Sequence, residues 1–523
     1  MSGRGAAMLA PTRKVRGTEF SAAAVLAALF ALLGAFIFRP GVVDFDGAAH
    51  YAYLPSALVD GNFEFANAIV PPEAVSITPT GHAGNQHPIG PAILWAPAFL
   101  GAHIFCLTLG AQNTALCGDD FAWPYVSAIS VASALYGFAG LYVILRVAGR
   151  LFEAGPAFAA LLALWLASPL VAYMYVVPSM PHALSFGVAS AFLAMWWIVP
   201  ARHRLAGWFI WGQLGGVLAI VRWQDVIWLI LPVSVILIEL VPPMVRQRKI
   251  VFSLVRPAVS RLALLALGLV LVFSPQMIAW NALYGTALTI PQGQAFMQWT
   301  QPMIVEVLFS ARHGLFTWMP LALAACAGLL VPARRHLKLF VPLMLILVLY
   351  TYVNAAAGDW WGGGAFGPRR FVSIMPILFL GLAGLFQQFW RNRAARIAML
   401  AVAVICVLGN WILITEFYTG MIQPDQALTW VQAFTIATTR YIPLDRWLLL
   451  YPGIVGQWHT GPYGTPAATV FFLGLFLVFG TATLVVLRWL TSRRWAKGPW
   501  LYPAAMVLPV MIVIVDLFLW RIT

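Results

Sequence analysis

Two carboxylates open the segment DFDGAAHYAY (residues 44–53): Asp44 and Asp46, directly after the first long apolar run of the chain. A carboxylate beside a bilayer is partly desolvated, and a second acid nearby adds like-charge repulsion. Both effects raise its pKa toward the range in which it can take a proton from a hydroxyl. Asp46 is followed by Gly and two Ala, the pattern of a helix start. A second reading therefore makes Asp46 a helix N-cap and Asp44 a solvated loop acid. The readings are compatible, because a capping Asp can also serve as a base.

Cations stand at other span ends. GDWWGGGAFGPRRF (358–371) carries Asp359, Trp361, a Gly run, and then Arg369 and Arg370. Arginine suits a phosphate, and glycines let a backbone approach closely. Binding of lipid headgroups is the structural alternative. VVPSMPHALSF (176–186) puts His182 at a helix start, as a polar helix-starting residue or as part of a site. IVRWQD (220–225) holds Arg222 close to hydrocarbon, where it is costly unless paired or used; Asp225 is its expected partner. LFSARHGLF (308–316) supplies Arg312 and His313. His50 and Tyr51 join these as candidate substrate contacts, since they follow the acids on the same segment. Outward acids for a base, outward arginines for a phosphate and Trp/Tyr-rich loops for sugar rings or prenyl chains suit one chemistry. It is transfer of a head group from a lipid phosphate.

The elements that must hold these residues are membrane spans. The chain has 523 residues, 62% of them hydrophobic and 9% charged, against about 25% charged in soluble domains. Many runs reach the roughly 20 apolar residues that cross hydrocarbon. About thirteen spans are predicted, at 20–38, 124–145, 154–176, 182–199, 206–221, 225–244, 261–280, 314–331, 338–353, 371–388, 397–415, 467–487 and 500–520. The N-terminal segment is basic and the first run offers no small-residue cleavage site, so an uncleaved first span is expected after a cytoplasmic tail at 1–19.

Charge orients the spans. With the N-terminus inside, most of the 31 basic residues fall in inner segments, and every inner loop is basic. The net charge of +14 is thus a positive-inside pattern and gives no reason to expect a nucleic-acid partner. Acids do the reverse: the first outer loop, about 39–123, holds Asp44, Asp46, Asp60, Glu64, Glu73, Asp119 and Asp120. Within it, GPAILWAPAFLGAHIFCLTLG (90–110) is apolar enough to resemble a span. Counting it as one would turn every later basic loop outward, so an interfacial or re-entrant helix is expected, with Trp95 and His103 at interface depth. Cys106 and Cys117 share this loop and would be bridged or free; Cys326 and Cys406 fall in spans as packing residues. The outer loop at about 416–466 reads as a lid, and 467–523 as C-terminal transmembrane helices.

The segments DFDGAAHYAYLPSAL, NQHPIGPAILWAPAFL, MPHALSF, LFSARHGLFTWMPL and WWGGGAFGPRRF, in that order, resemble the integral-membrane glycosyltransferases of the GT-C superfamily. The nearest group is that of protein O-mannosyltransferases and lipid A aminoarabinose transferases, in a bacterial branch. The resemblance runs from Asp44 to about Phe371 and implies a catalytic module over 20–415 in the inner membrane, with the site on the periplasmic side. It implies a polyprenyl-phosphate sugar as donor and inversion at the anomeric carbon. The base role maps to Asp46, with Asp44 as alternate, and phosphate contacts to Arg369, Arg370, Arg222 or Arg312. The acceptor would be a cell-envelope glycan, lipid or protein, with membrane lipids around the site. The next outer loop carries His182 where the family often has an acid. Some members bind a divalent metal near the first acid; Asp44, Asp46 and His50 could supply ligands, at a spacing that is not diagnostic. The competing class is a transporter or flippase of lipid-linked sugar. It would require polar residues through the membrane centre, which runs such as LALLALGLVLVF and FVPLMLILVLY lack.

Overall fold

In a computed structural model the chain is described over residues 16–41, 45–65, 77–110, 117–119, 121–198, 205–248, 252–418, 420–423, 427–439, 466–490 and 501–522. Among these residues the protein is helical, with only isolated β-bridges at Ile77–Ala83 and Met297–Ala357. Eight helices are long and apolar enough to cross a membrane, and shorter apolar helices accompany them. The chain is an all-α polytopic membrane protein. A helix satisfies its own backbone polar groups, which is what hydrocarbon demands.

The main helices are α1 (Arg16–Ile37), α2 (Phe45–Leu58), α3 (Gly90–Phe105), α4 (Trp123–Ala148), α5 (Ala154–Leu166), α6 (His182–Ile198), α7 (Leu205–Val221), α8 (Ile230–Gln247), α9 (Phe252–Tyr284), α10 (Leu337–Ala355), α11 (Met375–Phe389), α12 (Arg393–Tyr418), α13 (Pro466–Leu490) and α14 (Leu501–Ile522). Tighter 3-10 turns at Trp223–Leu229 and Arg369–Ile374 lead into α8 and α11. Each predicted span coincides with a helix or a broken run of helix. The breaks fall at prolines, which lack the N–H a continuous helix needs. The span predicted at 154–176 stops at Leu166 and resumes at Leu170, around Pro169. The side-chain amide of Asn410, on α12, donates to the carbonyls of Leu166 (2.9 Å) and Ser168 (3.1 Å), so the break is satisfied from a neighbouring helix. The span predicted at 314–331 is likewise split, into Leu315–Trp318, Leu321–Gly328 and Leu330–Ala333.

Helix α3 meets the length and composition of a span, but its packing keeps it beside one half of α4. Tyr136 reaches the Leu94 carbonyl, Trp95 donates to Ser133 at 2.8 Å, and Phe99 and His103 both lie against Tyr125. The two helices are therefore antiparallel over the first half of α4. Gly140 and Tyr136, at mid-helix, pack on Phe186 and Gly187 near the start of α6. The level at which α6 begins is thus the level at which α3 begins, and α3 rises from there without descending further. Deeper in, α7 and α9 press together where a Cβ on Gly212 would strike the Leu265 backbone and one on Gly268 the Phe209 backbone.

Cys106, at the end of α3, is disulfide-bonded to Cys117. A bridge closing so short a loop is worth about 2–3 kcal/mol. Intact protein is expected to resist maleimide labelling at both positions until reduced, and Cys106→Ser is expected to lower the thermal midpoint by a few degrees; labelling of Cys117 without reduction would show that no bridge forms.

Candidate active site

The site is built where α2, the loop before α3, and the 3-10 turn before α11 converge. Helix α2 begins at Phe45, so Asp46 lies in its first turn and not at the N-cap position of the second sequence reading. A negative charge is favourable there, beside the positive end of the helix dipole. Asp44 falls outside the described residues.

Asp46 meets Arg369, 323 residues along the chain: Arg369 Nη1 donates to Asp46 Oδ2 at 2.5 Å. The other carboxylate oxygen, Oδ1, lies 3.7 Å from His87 Nε2. Asp46 keeps 27% of its side chain exposed and Arg369 12%, so the pair is at the mouth of a buried region. Glycine shapes the turn that delivers Arg369. Gly362 and Gly363 have φ of +84° and +68°, and a Cβ at either would come 3.4 Å from the Arg369 guanidinium. Burial pushes the Asp46 carboxyl up. The Arg369 charge and hydrogen bond, with His87 beside it, outweigh burial and hold it below the usual carboxylate range.

The loop before α3 is fastened to α2. Asn85 donates to the Ala49 carbonyl at 2.8 Å and accepts the His87 N–H at 3.0 Å; Tyr53 donates to the His87 carbonyl at 3.1 Å. His50 Nδ1 donates to the Pro88 carbonyl at 3.0 Å, and its ring packs edge-on against His87. Burial pushes the His50 imidazole down to about 3, and burial also lowers His87, against the pull of Asp46. An unfolded histidine takes its proton near 6.5. Below that pH the unfolded chain binds a proton that folded His50 refuses, so stability falls as the pH drops from 6.5 toward 3 and is unaffected well above 6.5. The thermal midpoint in detergent is expected to be lower at pH 5 than at pH 7. His50→Asn, which can still donate to Pro88, should reduce that difference; an unchanged difference would place the sensitivity elsewhere.

Beneath Asp46 lies a second layer. Arg222, 7% exposed, directs Nη1 at His182 Nδ1 (2.9 Å) and at the carbonyls of Arg369 (3.4 Å) and Arg370 (3.3 Å). Asp225, expected from its spacing to pair with Arg222, is fully buried and accepts hydrogen bonds from the hydroxyls of Ser185, Tyr350 (2.8 Å) and Ser373 (2.7 Å). Arg370 Nη2 donates to Asp359 Oδ1 at 2.6 Å. Three guanidiniums and three carboxylates thus interleave, and each buried charge has an opposite charge or hydrogen-bonding groups around it. Arg369 is the cation of the three that pairs at the mouth, with Asp46, and this contact lowers the Asp46 carboxyl, against the rise expected from sequence.

This protein is similar to ArnT from Cupriavidus metallidurans in the apo state. The TM-score is 0.48 at 15% sequence identity, over 97% of this chain and 78% of that one. No family model and no curated protein matches.

Other residues singled out from sequence form a separate cluster one turn away. The Arg312 guanidinium stacks 3.9 Å from the Trp361 ring centroid. His313 has φ of +58°, donates from Nδ1 to the Trp361 carbonyl at 3.0 Å and packs edge-on against Trp318. Trp361 precedes Gly362 and Gly363, so the cluster connects to Arg369 through that turn. Tyr51 is buried against Phe99 and Phe121, on the side of α2 that meets α3, away from the Asp46–Arg369 contact. Among the described residues no three His, Cys, Asp or Glu side chains converge to hold a metal ion. Asp46 is turned to Arg369 and His50 to a backbone carbonyl, so those two do not form a ligand pair. The lid expected over 416–466 is described only at 416–418, 420–423 and 427–439, where Trp430 donates to the Thr317 carbonyl.

Sequence reasoning did not single out His87, Met180 or Tyr350. The tyrosine that ends the apolar run FVPLMLILVLY was the available signal for Tyr350, since a hydroxyl at the edge of such a run needs a partner. His87 carried no local signal beyond its neighbours Asn85 and Pro88.

Proposed function

We propose that this protein is an inverting glycosyltransferase of the GT-C type. It moves a monosaccharide from a polyprenyl-phosphate donor to a cell-envelope glycan, lipid or protein acceptor at the periplasmic face of the inner membrane. The observation that carries the reading is the Asp46–Arg369 contact at 2.5 Å, a carboxylate able to serve as proton acceptor beside a guanidinium able to bind phosphate.

Asp46 takes the proton of the acceptor hydroxyl, and that oxygen attacks the anomeric carbon. The bond between the anomeric carbon and the phosphate oxygen breaks on the opposite face, which inverts the centre, and polyprenyl phosphate leaves. Arg369 and Arg222 bind the phosphate and stabilise the charge that grows on it. Arg369 has two roles in sequence. In the resting protein it neutralises Asp46. When donor phosphate enters, the guanidinium shifts toward it, and Asp46 becomes available to the acceptor.

The test is transfer from radiolabelled polyprenyl-phosphate sugar by purified protein in nanodiscs with envelope extract as acceptor. Labelled product with release of polyprenyl phosphate supports the reading. Unchanged donor that instead crosses the bilayer of a proteoliposome would overturn it in favour of a flippase.

A further inference from the structure

His182 opens α6 and is 2% exposed. Its Nδ1 is 2.9 Å from Arg222 Nη1. A guanidinium has only N–H donors and does not lose its proton in proteins, so Nδ1 must be the acceptor. In a neutral imidazole one nitrogen accepts and the other carries the proton, and a doubly protonated ring has no acceptor to offer Arg222. Arg222 therefore fixes both the charge and the tautomer of His182: neutral, with the proton on Nε2.

That Nε2–H is buried and has no hydrogen-bond partner among the described residues. A buried donor left without an acceptor is uncommon and costs free energy, so it needs a reason. Its surroundings supply one. The charged and titratable groups that act on His182 are Arg222, Arg369, Arg370 and His50, all but Arg222 being residues that surround Asp46 or the arginine pair. The turn that carries it also touches the same place: Met180 Sδ lies 3.8 Å from Arg369 Nη1. Ser179 Oγ, on that turn, is a second buried polar atom without a partner among the described residues. Tyr173 packs against the imidazole with ring centroids 4.4 Å apart and the planes tilted by 52°. An uncharged donor in a ring of guanidiniums calls for an anionic oxygen.

We infer that His182 is a phosphate-positioning residue, an uncharged Nε2–H donor to a phosphate oxygen of the lipid-linked substrate, held in that tautomer by Arg222. This rests on the lipid-phosphate reading of the site and adds to it a residue that contributes a directed hydrogen bond without contributing charge. It also excludes His182 as a general base, because its one lone pair belongs to Arg222.

Two substitutions separate the two ends of the ring. His182→Asn keeps an acceptor near the Nδ1 position for Arg222 and removes the distal donor. His182→Gln reaches the Nε2 position with an amide donor. Binding of polyprenyl monophosphate to detergent-solubilised full-length protein is expected to weaken about tenfold to a hundredfold in His182→Asn, the range for a hydrogen bond to a charged group. The KM for donor should rise in parallel while kcat changes less. His182→Gln should stay within about threefold of wild type, and both should keep the wild-type thermal midpoint. Equal binding by wild type and a folded His182→Asn would overturn the inference. So would an equal loss in both variants, which marks a structural role. If wild type binds no polyprenyl monophosphate, it is the lipid-phosphate reading that fails. Nitrogen-15 NMR of histidine-labelled wild type gives an answer independent of any variant. The expected signal is a protonated Nε2 and bare Nδ1, with Nε2 shifting on addition of polyprenyl monophosphate; the opposite tautomer, or an unmoved Nε2 at saturation, would overturn the assignment.

Discussion

Asp46→Asn is expected to lower kcat for sugar transfer by about a hundredfold to ten-thousandfold, the range for a lost general base, while donor binding and folding are kept. The substitution is nearly isosteric, and the amide oxygen can still accept from Arg369 Nη1, so the 2.5 Å contact has a replacement partner. What disappears is the negative charge that takes the acceptor's proton. Arg369 then has no anion competing with the donor phosphate, so the donor KM is expected to stay level or fall. That split distinguishes a base from a binding residue: a binding residue would raise KM, and a purely structural one would lower the thermal midpoint. Asp44→Asn is the companion experiment and is expected to leave transfer nearly intact. If Asp44→Asn is the inactive variant and Asp46→Asn turns over within about threefold of wild type, the base is Asp44, and the Arg369 contact is structural.

The thirteen helical regions were legible because run length is a local property: apolar stretches near twenty residues state their own destination. The side chains that make the site were legible by type for a related reason. Charges at the ends of such runs are costly, and Asp46, Arg222, Arg369 and Arg370 each drew attention by being there. Pairing was not legible. Arg222 and Asp225 are three residues apart, which reads as a local ion pair, yet Arg222 turns to His182, 40 residues away, and Asp225 accepts from Tyr350, 125 residues away. No periodicity reports a contact such as Asp46 with Arg369 across 323 residues. The 3-10 turn at Trp223–Leu229 explains why the two charges, although near enough to act on each other, make no direct hydrogen bond. It starts directly after Arg222, whose extended backbone (φ −152°) lies outside any helix, so the two side chains do not share a helical face. His87 was invisible because its role comes from where Asn85, Tyr53 and Ala49 hold its backbone.

Arg369→Gln is expected to have the other large effect, and its signature lies in the pH profile. The guanidinium does two things in the proposed reaction, so its removal should act on two measurements. Loss of a charged phosphate ligand should raise the donor KM and lower kcat/KM by about a hundredfold to a thousandfold. Separately, the Asp46 carboxyl is held low against burial chiefly by the Arg369 charge and hydrogen bond, with His87 and His50 adding to them. With Arg369 gone, burial is left as the dominant influence, and the carboxyl rises above its ordinary range of about 4. In wild type the base is ionised across the working range, so kcat/KM should show no limb from Asp46 between pH 5 and 8. In Arg369→Gln an acidic limb should appear, with kcat/KM falling as the pH drops through the raised carboxyl. Arg369→Lys restores a charge without the planar fork and should lower the carboxyl again, removing the limb while recovering only part of the phosphate affinity. A fall in kcat/KM with a flat profile in Arg369→Gln would mean that Asp46 is not the group whose ionisation the reaction uses. Because Asp46 and Arg369 act as a unit, the double substitution Asp46→Asn with Arg369→Gln should cost far less than the sum of the two single losses. Full additivity would separate the two residues into independent roles and remove the exchange of Arg369 between carboxylate and phosphate from the mechanism.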